Sequence, residues 1–162
     1  ILEITLKGHL VLEAQIDQIL RQHFPSAEYY EEARLSFAQK LALIRARHWR
    51  LQDHDIWKLV QSLNKLRNTY SHKLDKNLLE QRLQDVLRMQ LHISESPEET
   101  SGILKGDDRT QLIFAFIHIQ GFLGRYLVDA VFLSGLLKVL HEKDPNYSKL
   151  EFKSEVDGGS PV

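Results

Sequence analysis

Cysteine is absent from this chain of 162 residues, which excludes disulfide bonds, zinc–thiolate centres and cysteine nucleophiles. Proline is scarce, with 4 residues, and no stretch shows the apolar–polar alternation between tight turns that is typical of strands. The glycine-rich phosphate loop, a Ser-His-Asp order and the dinucleotide fingerprint are all missing. The sequence therefore gives no support to a β-rich fold or to a kinase, serine hydrolase or dehydrogenase.

The first residues, ILEITLKGHLVLEAQ, have neither a basic start nor a small-residue cleavage site, so we expect no secretory signal. Without such a signal and without cysteine, the protein is expected to be cytoplasmic. The length fits one domain with a core large enough to need no disulfide for stability. We therefore expect one helical domain over residues 1–144 and a loosely ordered tail over residues 145–162.

Helical periodicity dominates the chain, which predicts an all-α fold. We expect a compact bundle of about five helices, the last of them long. Asp53 or Asp55 is predicted to cap the third helix and Asp75 the fourth, since aspartate accepts hydrogen bonds from the first turn of a helix. The polar segment Ser94–Asp108 is predicted to be a loop. The first, second and last helices are expected over about Ile4–His23, Glu28–His48 and Thr110–His141.

The last predicted helix contains the apolar stretch QLIFAFIHIQGFLGRYLVDAVFLSGLLKVL, which is similar in composition to a membrane span. Polar and charged side chains interrupt this stretch, and such groups are costly inside a bilayer: His118, Gln120, Arg125 and Asp129. We therefore expect no membrane, but a buried core helix with a contact to a second copy of the chain as a further role. Three glycines would allow another helix to approach closely: Gly121, Gly124 and Gly135.

Charge is distributed unevenly along the sequence, although the formal net charge is only −1. Residues 34–90 contain 12 Lys or Arg against 5 Asp or Glu, whereas both flanking segments are net acidic. A local excess of positive charge is suited to a polyanion such as RNA. A solvated helix surface that is rich in Lys and Arg is an equally acceptable interpretation.

The basic segment contains the sequence RNTYSH, Arg67–His72, within a stretch that otherwise has helical periodicity. Asn68 and His72 are four residues apart and share a helix face, whereas Arg67 and His72 lie about 140° apart around a straight helix. Arg67 and His72 would therefore meet only if the helix ends or bends between them, or if a second copy contributes. Asn, Thr and Ser disfavour helix interiors, so we expect a helix end in this segment.

Arginine and histidine in one place can act together on a phosphodiester. Histidine exchanges protons near neutral pH, so His72 can deprotonate a ribose 2′-hydroxyl or protonate the leaving oxygen. Arg67 stays charged and can stabilise a phosphorane-like transition state, and this scheme needs no metal or cofactor. The structural alternatives are a helix-end histidine that binds carbonyl groups and an arginine paired with a carboxylate such as Asp75.

RNTYSH at the end of a helix in an all-helical chain resembles the signature of the HEPN superfamily (higher eukaryotes and prokaryotes nucleotide-binding). That signature is an Arg, often followed by a polar residue, and then a His after four to six residues; Arg67, Asn68 and His72 match it. GHLVLEAQIDQIL, Gly8–Leu20, and LSFAQKLALIRA, Leu35–Ala46, are similar to the first two helices of small prokaryotic members of the mannitol-repressor-like group.

The resemblance covers residues 5–92 approximately and implies a helical bundle that forms a homodimer. It further implies a metal-independent endoribonuclease whose two motifs lie in a groove between protomers. Arg67 and His72 would be catalytic, and Asn68 would orient them or the phosphate. Such members include toxins of toxin–antitoxin pairs, phage-defence effectors and RNA-processing enzymes, so RNA and an antitoxin or regulatory protein are the implied partners.

Two features of the family bear on this interpretation. Some HEPN proteins are non-catalytic regulatory modules that bind RNA, a nucleotide or a protein, and this is the alternative function that we carry forward. In one toxin group a Tyr two positions after the His receives a nucleotide modification from the antitoxin. Leu74 occupies that position here, so the resemblance does not extend to that form of regulation.

Two further residues are predicted to support the motif. Glu13 would orient the arginine or the histidine, and Ser71 lies one turn from the arginine on the same helix. His9, Glu13 and Asp17 recur every four residues on the first helix, where a divalent metal could bind. A polar stripe on an amphipathic helix is the favoured interpretation, and no metal site is predicted.

Basic residues near the motif are expected to contact the RNA backbone, because lysine and arginine neutralise phosphates. Trp57, which lies beside apolar residues at helical spacing, is expected to be a core anchor instead of a stacking platform for bases. The predicted RNA contacts are Lys65, Lys73, Arg45, Arg47 and Arg50.

Overall fold

The structure, a computed structural model, describes residues 1–24, 26–47, 53–72, 75–94, 101 and 105–143. Within these ranges the side chains of Ala27, His72 and Ala130, and of several residues after Phe132, are outside the description. The described residues form an all-α bundle and contain no strand, which confirms the predicted fold class. The helices are α1 (Leu2–His23), α2 (Ala27–Glu32), α3 (Phe37–Arg47), α4 (Ile56–His72), α5 (Lys76–Ile93) and α6 (Asp108–Lys143).

Helix α1 is the central element of the bundle and packs against α3, α4 and α6. Its apolar residues at helical spacing form a buried stripe that includes Leu12, Ile16 and Ile19. The helix ends at His23 as predicted, and Phe24 adopts an extended conformation with φ −105° and ψ 125°. A proline follows Phe24 in the sequence, and the residue before a proline disfavours helical geometry.

The predicted second helix is wrong in its extent, because residues 28–47 contain two helices and not one. Arg34 has a positive φ of 44°, which a right-handed helix does not accommodate. Ser36 then caps α3: its Oγ accepts from the backbone N–H of Gln39 at 3.4 Å, and its own N–H donates to Oε1 of Gln39 at 2.9 Å. The sequence SFAQ is a capping box and was the local signal for this second start.

The caps of α4 and α5 agree with the predicted starts of these helices. Asp75 caps α5 as predicted, and its Oδ1 accepts two backbone N–H groups of the first turn at 3.0 and 3.2 Å. Helix α4 begins at Ile56, directly after Asp55. The backbone N–H of Ile56 donates to Nδ1 of His54 at 3.1 Å, so a histidine side chain also caps the first turn of α4.

Helix α6 is two residues longer at each end than predicted, and only its first half is a core helix. Buried side chains recur along one face of the helix as far as Tyr126, whereas no described side chain beyond Tyr126 is buried. Val128 and Phe132 are 67% and 68% exposed. The expectation of a buried helix is therefore wrong for the described side chains beyond Tyr126, whereas the expected contact with a second copy stays a prediction. By length and composition alone Asp108–Asp129 could span a membrane, but the core helix of a soluble protein meets the same criteria.

Among the described residues a close approach to another helix occurs at Gly8, whereas an approach of a second copy to the three predicted glycines stays a prediction. A Cβ atom added at Gly8 would lie 2.6 Å from the ring of Phe116 in α6. Added at Gly121, Gly124 or Gly135, it would meet no atom of the described residues within 4 Å. Gly8 therefore sets the distance between α1 and α6.

One cluster of buried apolar side chains joins all the helices of the described residues. Trp57 is 2% exposed and packs edge-on against Phe122 and Tyr126, with ring centroids 5.3 and 6.2 Å away, which confirms it as a core anchor. The hydroxyl of Tyr126 donates to the carbonyl of Ile44 at 3.0 Å. That carbonyl belongs to the last turn of α3, where carbonyl groups lack helical partners. Burial raises the pKa of Tyr126 to about 12.

Candidate functional site

The RNTYSH segment forms the last turns of α4 and remains helical through His72. The hydroxyl groups that were expected to end the helix bond to its own carbonyls. Thr69 Oγ1 donates to the carbonyl of Lys65 at 2.9 Å, and Ser71 Oγ donates to the carbonyl of Arg67 at 3.2 Å. Bonds of this kind, to the carbonyl four residues earlier, are compatible with helical geometry. The helix end therefore falls at the last residue of the segment and not between Arg67 and His72.

The side chains of Arg67 and Asn68 bond to each other. Nη1 of Arg67 donates to Oδ1 of Asn68 at 3.0 Å, and both residues are half-buried. Among the described residues Arg67 forms no ion pair with a carboxylate, and Asp75, the expected alternative partner, caps α5 instead. An arginine has five N–H donors, of which this bond uses one.

This hydrogen bond determines where the charged end of Arg67 lies relative to residue 72. Around a helix axis, residues 67 and 72 are about 140° apart, whereas residues 68 and 72 are about 40° apart. Since the guanidinium is bonded to Asn68, it lies beside a residue that shares a helix face with residue 72. A long side chain thus reduces the separation that the backbone register imposes. For His72 itself the structure describes the backbone position only.

A second histidine, His9 of α1, contacts α4 one turn before the motif. Its Nε2 lies 3.1 Å from Oδ1 of Asn64, and its ring packs against Phe37 with centroids 4.4 Å apart. The residue is 3% exposed. Burial lowers the pKa of His9 and the charge of Arg67 lowers it further, against opposing effects of Asn64 and Glu13. His9 is therefore a neutral group near pH 7 that fixes α4 against α1.

The contact of His9 with Asn64 was not predicted from the sequence. His9 was expected in a polar stripe on α1, and Asn64 had no predicted role. The two residues are 55 positions apart, and neither lies in a local pattern that would predict their contact.

Glu13, which was predicted to orient the catalytic pair, belongs to a separate polar cluster. Nζ of Lys40 in α3 lies 2.9 Å from a carboxylate oxygen of Glu13 and 2.9 Å from one of Asp17. The hydroxyl of Tyr30 in α2 donates to Asp17 at 2.5 Å. Burial acts to lower the pKa of Lys40, but its hydrogen bonds to the two carboxylates outweigh burial and raise that pKa. The cluster holds α1 to α2 and α3, and Glu13 contacts Lys40 and not Arg67.

The metal site that was considered on α1 does not form among the described side chains. His9 faces α4, whereas Glu13 and Asp17 face the ammonium group of Lys40. No group of three or more His, Asp or Glu side chains in the described part of the chain is arranged to hold a metal ion.

The predicted RNA-contacting residues occupy different positions around α3 and α4. Arg45 and Lys65 border a groove of about 260 Å³ between these two helices. Arg47 is exposed at the end of α3, whereas Arg50 and Lys73 lie outside the described residues. Lys65 is exposed and lies within about 20° of residue 72 around the axis of α4. Lys65 therefore shares the helix face of the motif histidine.

Comparison of the chain with models of protein families, with curated proteins and with solved structures found no match. The resemblance to HEPN proteins accordingly rests on the RNTYSH motif, the two upstream segments and the order of the helices. The structure confirms the all-α fold of the described residues, and the resemblance to HEPN proteins stays a prediction.

Proposed function

We propose that the protein is a metal-independent endoribonuclease of HEPN type that acts as a homodimer. The observation that supports this most is the bond of 3.0 Å between Arg67 and Asn68. It holds a guanidinium, without a carboxylate partner among the described residues, beside the helix face of His72. A guanidinium matches the geometry of a phosphate group. Arg21 offers the contrast of a structural arginine, because Glu31 binds it at 3.0 Å.

In the proposed reaction, the neutral imidazole of His72 takes the proton of a ribose 2′-hydroxyl, and the 2′-oxygen forms a bond to the adjacent phosphorus. The bond between phosphorus and the 5′-oxygen breaks, and this oxygen receives a proton from the imidazolium of His72 in the second copy. Arg67, oriented by Asn68, stabilises the charge on the phosphoryl oxygens in the transition state. The products are a 2′,3′-cyclic phosphate and a 5′-hydroxyl.

The exposed second half of α6 supports the homodimer. Four apolar side chains between 44% and 68% exposed recur on one face of this helix. A contiguous apolar surface of this kind marks an interface with a protein or a membrane. We assign it to a second copy, because Arg125 and Asp129 are exposed in the same part of the helix and charges are costly in a bilayer. The four residues are Val128, Phe132, Leu136 and Val139.

The decisive experiment is RNA cleavage in EDTA, with single-stranded and structured substrates and with analysis of the product ends. We expect cyclic-phosphate products from the wild-type chain. His72→Gln should lower the rate by about 10²–10⁴-fold because proton transfer is lost. Arg67→Gln should lower it by about 10²–10³-fold because a transition-state donor is lost. Asn68→Ala should act in the same direction through misplacement of the arginine.

Two variants serve as controls for this assay. Ser71→Ala removes a hydroxyl that bonds only to its own helix at 3.2 Å, so cleavage should persist. Arg21→Gln removes an arginine that pairs with Glu31 at 3.0 Å, away from the motif. Absence of cleavage by the folded protein on all substrates would replace the nuclease with the non-catalytic regulatory module. Cleavage by His72→Gln at the wild-type rate would show that the activity does not belong to this motif.

Phe132→Glu tests the homodimer by sedimentation velocity. We expect a wild-type dimer and a monomeric variant with unchanged helix content, because a charge would have to be buried in the contact. Tyr29→Glu is the matched control, since Tyr29 is an aromatic residue of α2 that is 70% exposed. A monomeric wild-type protein would refute the assignment of this face to a second copy. Flotation of the wild-type chain with lipid vesicles, lost in Phe132→Glu, would refute it as well.

A further inference from the structure

A groove of about 340 Å³ between α4 and α5 carries an excess of positive charge. Three of the polar side chains that line it are Lys or Arg, and one is a carboxylate. The chain as a whole has a formal net charge of −1, so this excess is local. The polar side chains are Ser62 and Lys65 of α4 and Arg82, Asp85, Arg88 and His92 of α5.

The single carboxylate brings two guanidinium groups together. Asp85 lies 2.6 Å from Nη2 of Arg88 and 3.6 Å from Nη1 of Arg82, on neighbouring turns of α5. The side chain of Arg88 is 73% exposed and that of Arg82 is 37% exposed. Exposed ion pairs of this kind are weak, and one carboxylate uses few of the ten N–H donors of two arginines. The pair is therefore positioned in advance for a further anion.

Lys65 supplies the opposite wall of the groove and connects it to the motif. Its ammonium group has no carboxylate partner within salt-bridge distance among the described residues. Residues 65 and 72 lie on the same face of α4 and are separated by about 10 Å along the helix axis. A chain of phosphates that reaches residue 72 would therefore pass Lys65 and enter the groove.

We propose that the α4–α5 groove binds the phosphate backbone of the RNA strand whose scissile phosphate lies at Arg67, Asn68 and His72. This inference rests on the proposed function and extends it with a binding site remote from the chemistry. Arg82 takes one phosphate group in the groove, beside the Arg88–Asp85 pair, and Lys65 takes a phosphate between the groove and the motif. The contacts are to the backbone and not to base edges, so they raise affinity for single-stranded RNA without sequence preference.

The test is the affinity of the full chain for a labelled single-stranded 2′-O-methyl oligonucleotide, which lacks the nucleophile and is not cleaved. The groove variant is the double substitution Lys65→Gln and Arg82→Gln. The logarithm of the binding constant falls linearly with the logarithm of the salt concentration. For single strands each lost phosphate contact makes this slope shallower by about 0.7, which at 0.1 M salt corresponds to about 5-fold in affinity. We therefore expect Kd to rise by about 25-fold and the slope to fall by about 1.4.

The matched control removes the same charge elsewhere. Arg21→Gln with Arg109→Gln deletes two exposed cations of α1 and α6 outside the groove. An equal loss of affinity in the groove and control variants would overturn the inference, because only net charge would then matter. Failure of the wild-type chain to bind the oligonucleotide would overturn it as well.

Separate measurements test the proposed function and this inference: cleavage of unmodified RNA tests the first, and binding of the 2′-O-methyl strand tests the second. Arg67→Gln should lower the rate of cleavage of an unmodified RNA by about 10²–10³-fold. Its affinity for the 2′-O-methyl strand should change by no more than about the 5-fold effect of one contact. A groove variant with weakened binding, in a chain that never cleaves RNA, would refute the nuclease and retain the groove as an RNA-binding site. Cleavage that depends on Arg67 but not on Lys65 and Arg82 would support the proposed nuclease function and refute the role of the groove in RNA binding.

Discussion

Gly8→Ala tests the packing that places α1, and with it His9, against the rest of the bundle. In an exposed helix, replacing glycine with alanine stabilises by about 1 kcal/mol because alanine has the higher helix propensity. At Gly8 the new methyl carbon would lie 2.6–2.7 Å from three ring carbons of Phe116. Carbon atoms normally approach to about 3.5–4.0 Å. The ring would have to retreat by about 1 Å, and it is only 5% exposed.

The expected cost follows from these opposing effects. Overpacking of a closely packed core costs about 1–3 kcal/mol, and the propensity gain offsets about 1 kcal/mol of it. We therefore expect Gly8→Ala to lower the free energy of unfolding by about 0–2 kcal/mol. Ala14→Gly calibrates the propensity effect in the same helix, because Ala14 is an exposed residue of α1. That variant should lose about 1 kcal/mol.

The assay is equilibrium unfolding in urea, with the midpoint and the slope m fitted for each variant. In a Phe116→Leu background the smaller side chain should relieve the clash, and Gly8→Ala should then stabilise the protein by about 1 kcal/mol. The sign of the Gly8 effect should thus reverse between the two backgrounds, which a double-mutant cycle measures directly. Stabilisation by Gly8→Ala in the wild-type background, equal to the loss in Ala14→Gly, would show that Phe116 does not limit the approach of α1 and α6.

Three further predictions concern polar contacts of the bundle. Tyr126→Phe removes a donor to a carbonyl at the end of α3 and should lower the free energy of unfolding by about 1 kcal/mol with unchanged m in urea; an unchanged midpoint would contradict this role. His9→Gln keeps a donor but does not titrate. Because the folded-state pKa of His9 is below its usual 6.5, the wild-type protein should lose more stability than His9→Gln as pH falls below 6.5, and parallel pH profiles in urea titrations would contradict this. Lys40→Met should lower the free energy of unfolding by about 1–3 kcal/mol, which is less than for a fully buried pair because its partners are 23–32% exposed. Adding Glu13→Gln and Asp17→Asn to Lys40→Met should recover much of that stability in thermal unfolding, because the two carboxylates no longer lack a partner. No recovery would contradict the pairing.

Features with a local cause were predictable from the sequence. The cap at Asp75 and the end of α1 before a proline depend on residues within one turn, and both agree with the structure. The break between α2 and α3 was also signalled locally, by the capping box that begins at Ser36, but helical periodicity on both sides outweighed that signal. The burial of α6 was different, because periodicity does not reveal whether a partner covers an apolar face. The sequence therefore did not predict the end of burial at Tyr126.

The candidate site was predictable in its residue types but not in its geometry. The motif placed Arg67, Asn68 and His72 on one helix, and the spacing alone separated the arginine from the histidine by about 140°. The direction of a long arginine side chain depends on its rotamer and its hydrogen-bond partner, which no spacing rule contains. The contact of His9 with Asn64 depends on how α1 and α4 meet. Both features are tertiary, and the sequence offered no local signal for either of them.

The buried face of α4 determines which motif residues are available for chemistry. Leu59, Leu63 and Leu66 are at most 1% exposed and fix the rotation of α4 about its axis. A rotation by one residue would move every side chain by about 100°, which would carry Asn68 away from its present half-buried position. The His9–Asn64 bond on the flank opposes such a rotation through a contact that is polar and directional. The core and this buried histidine therefore act on the proposed reaction through the orientation of α4, although neither belongs to the motif.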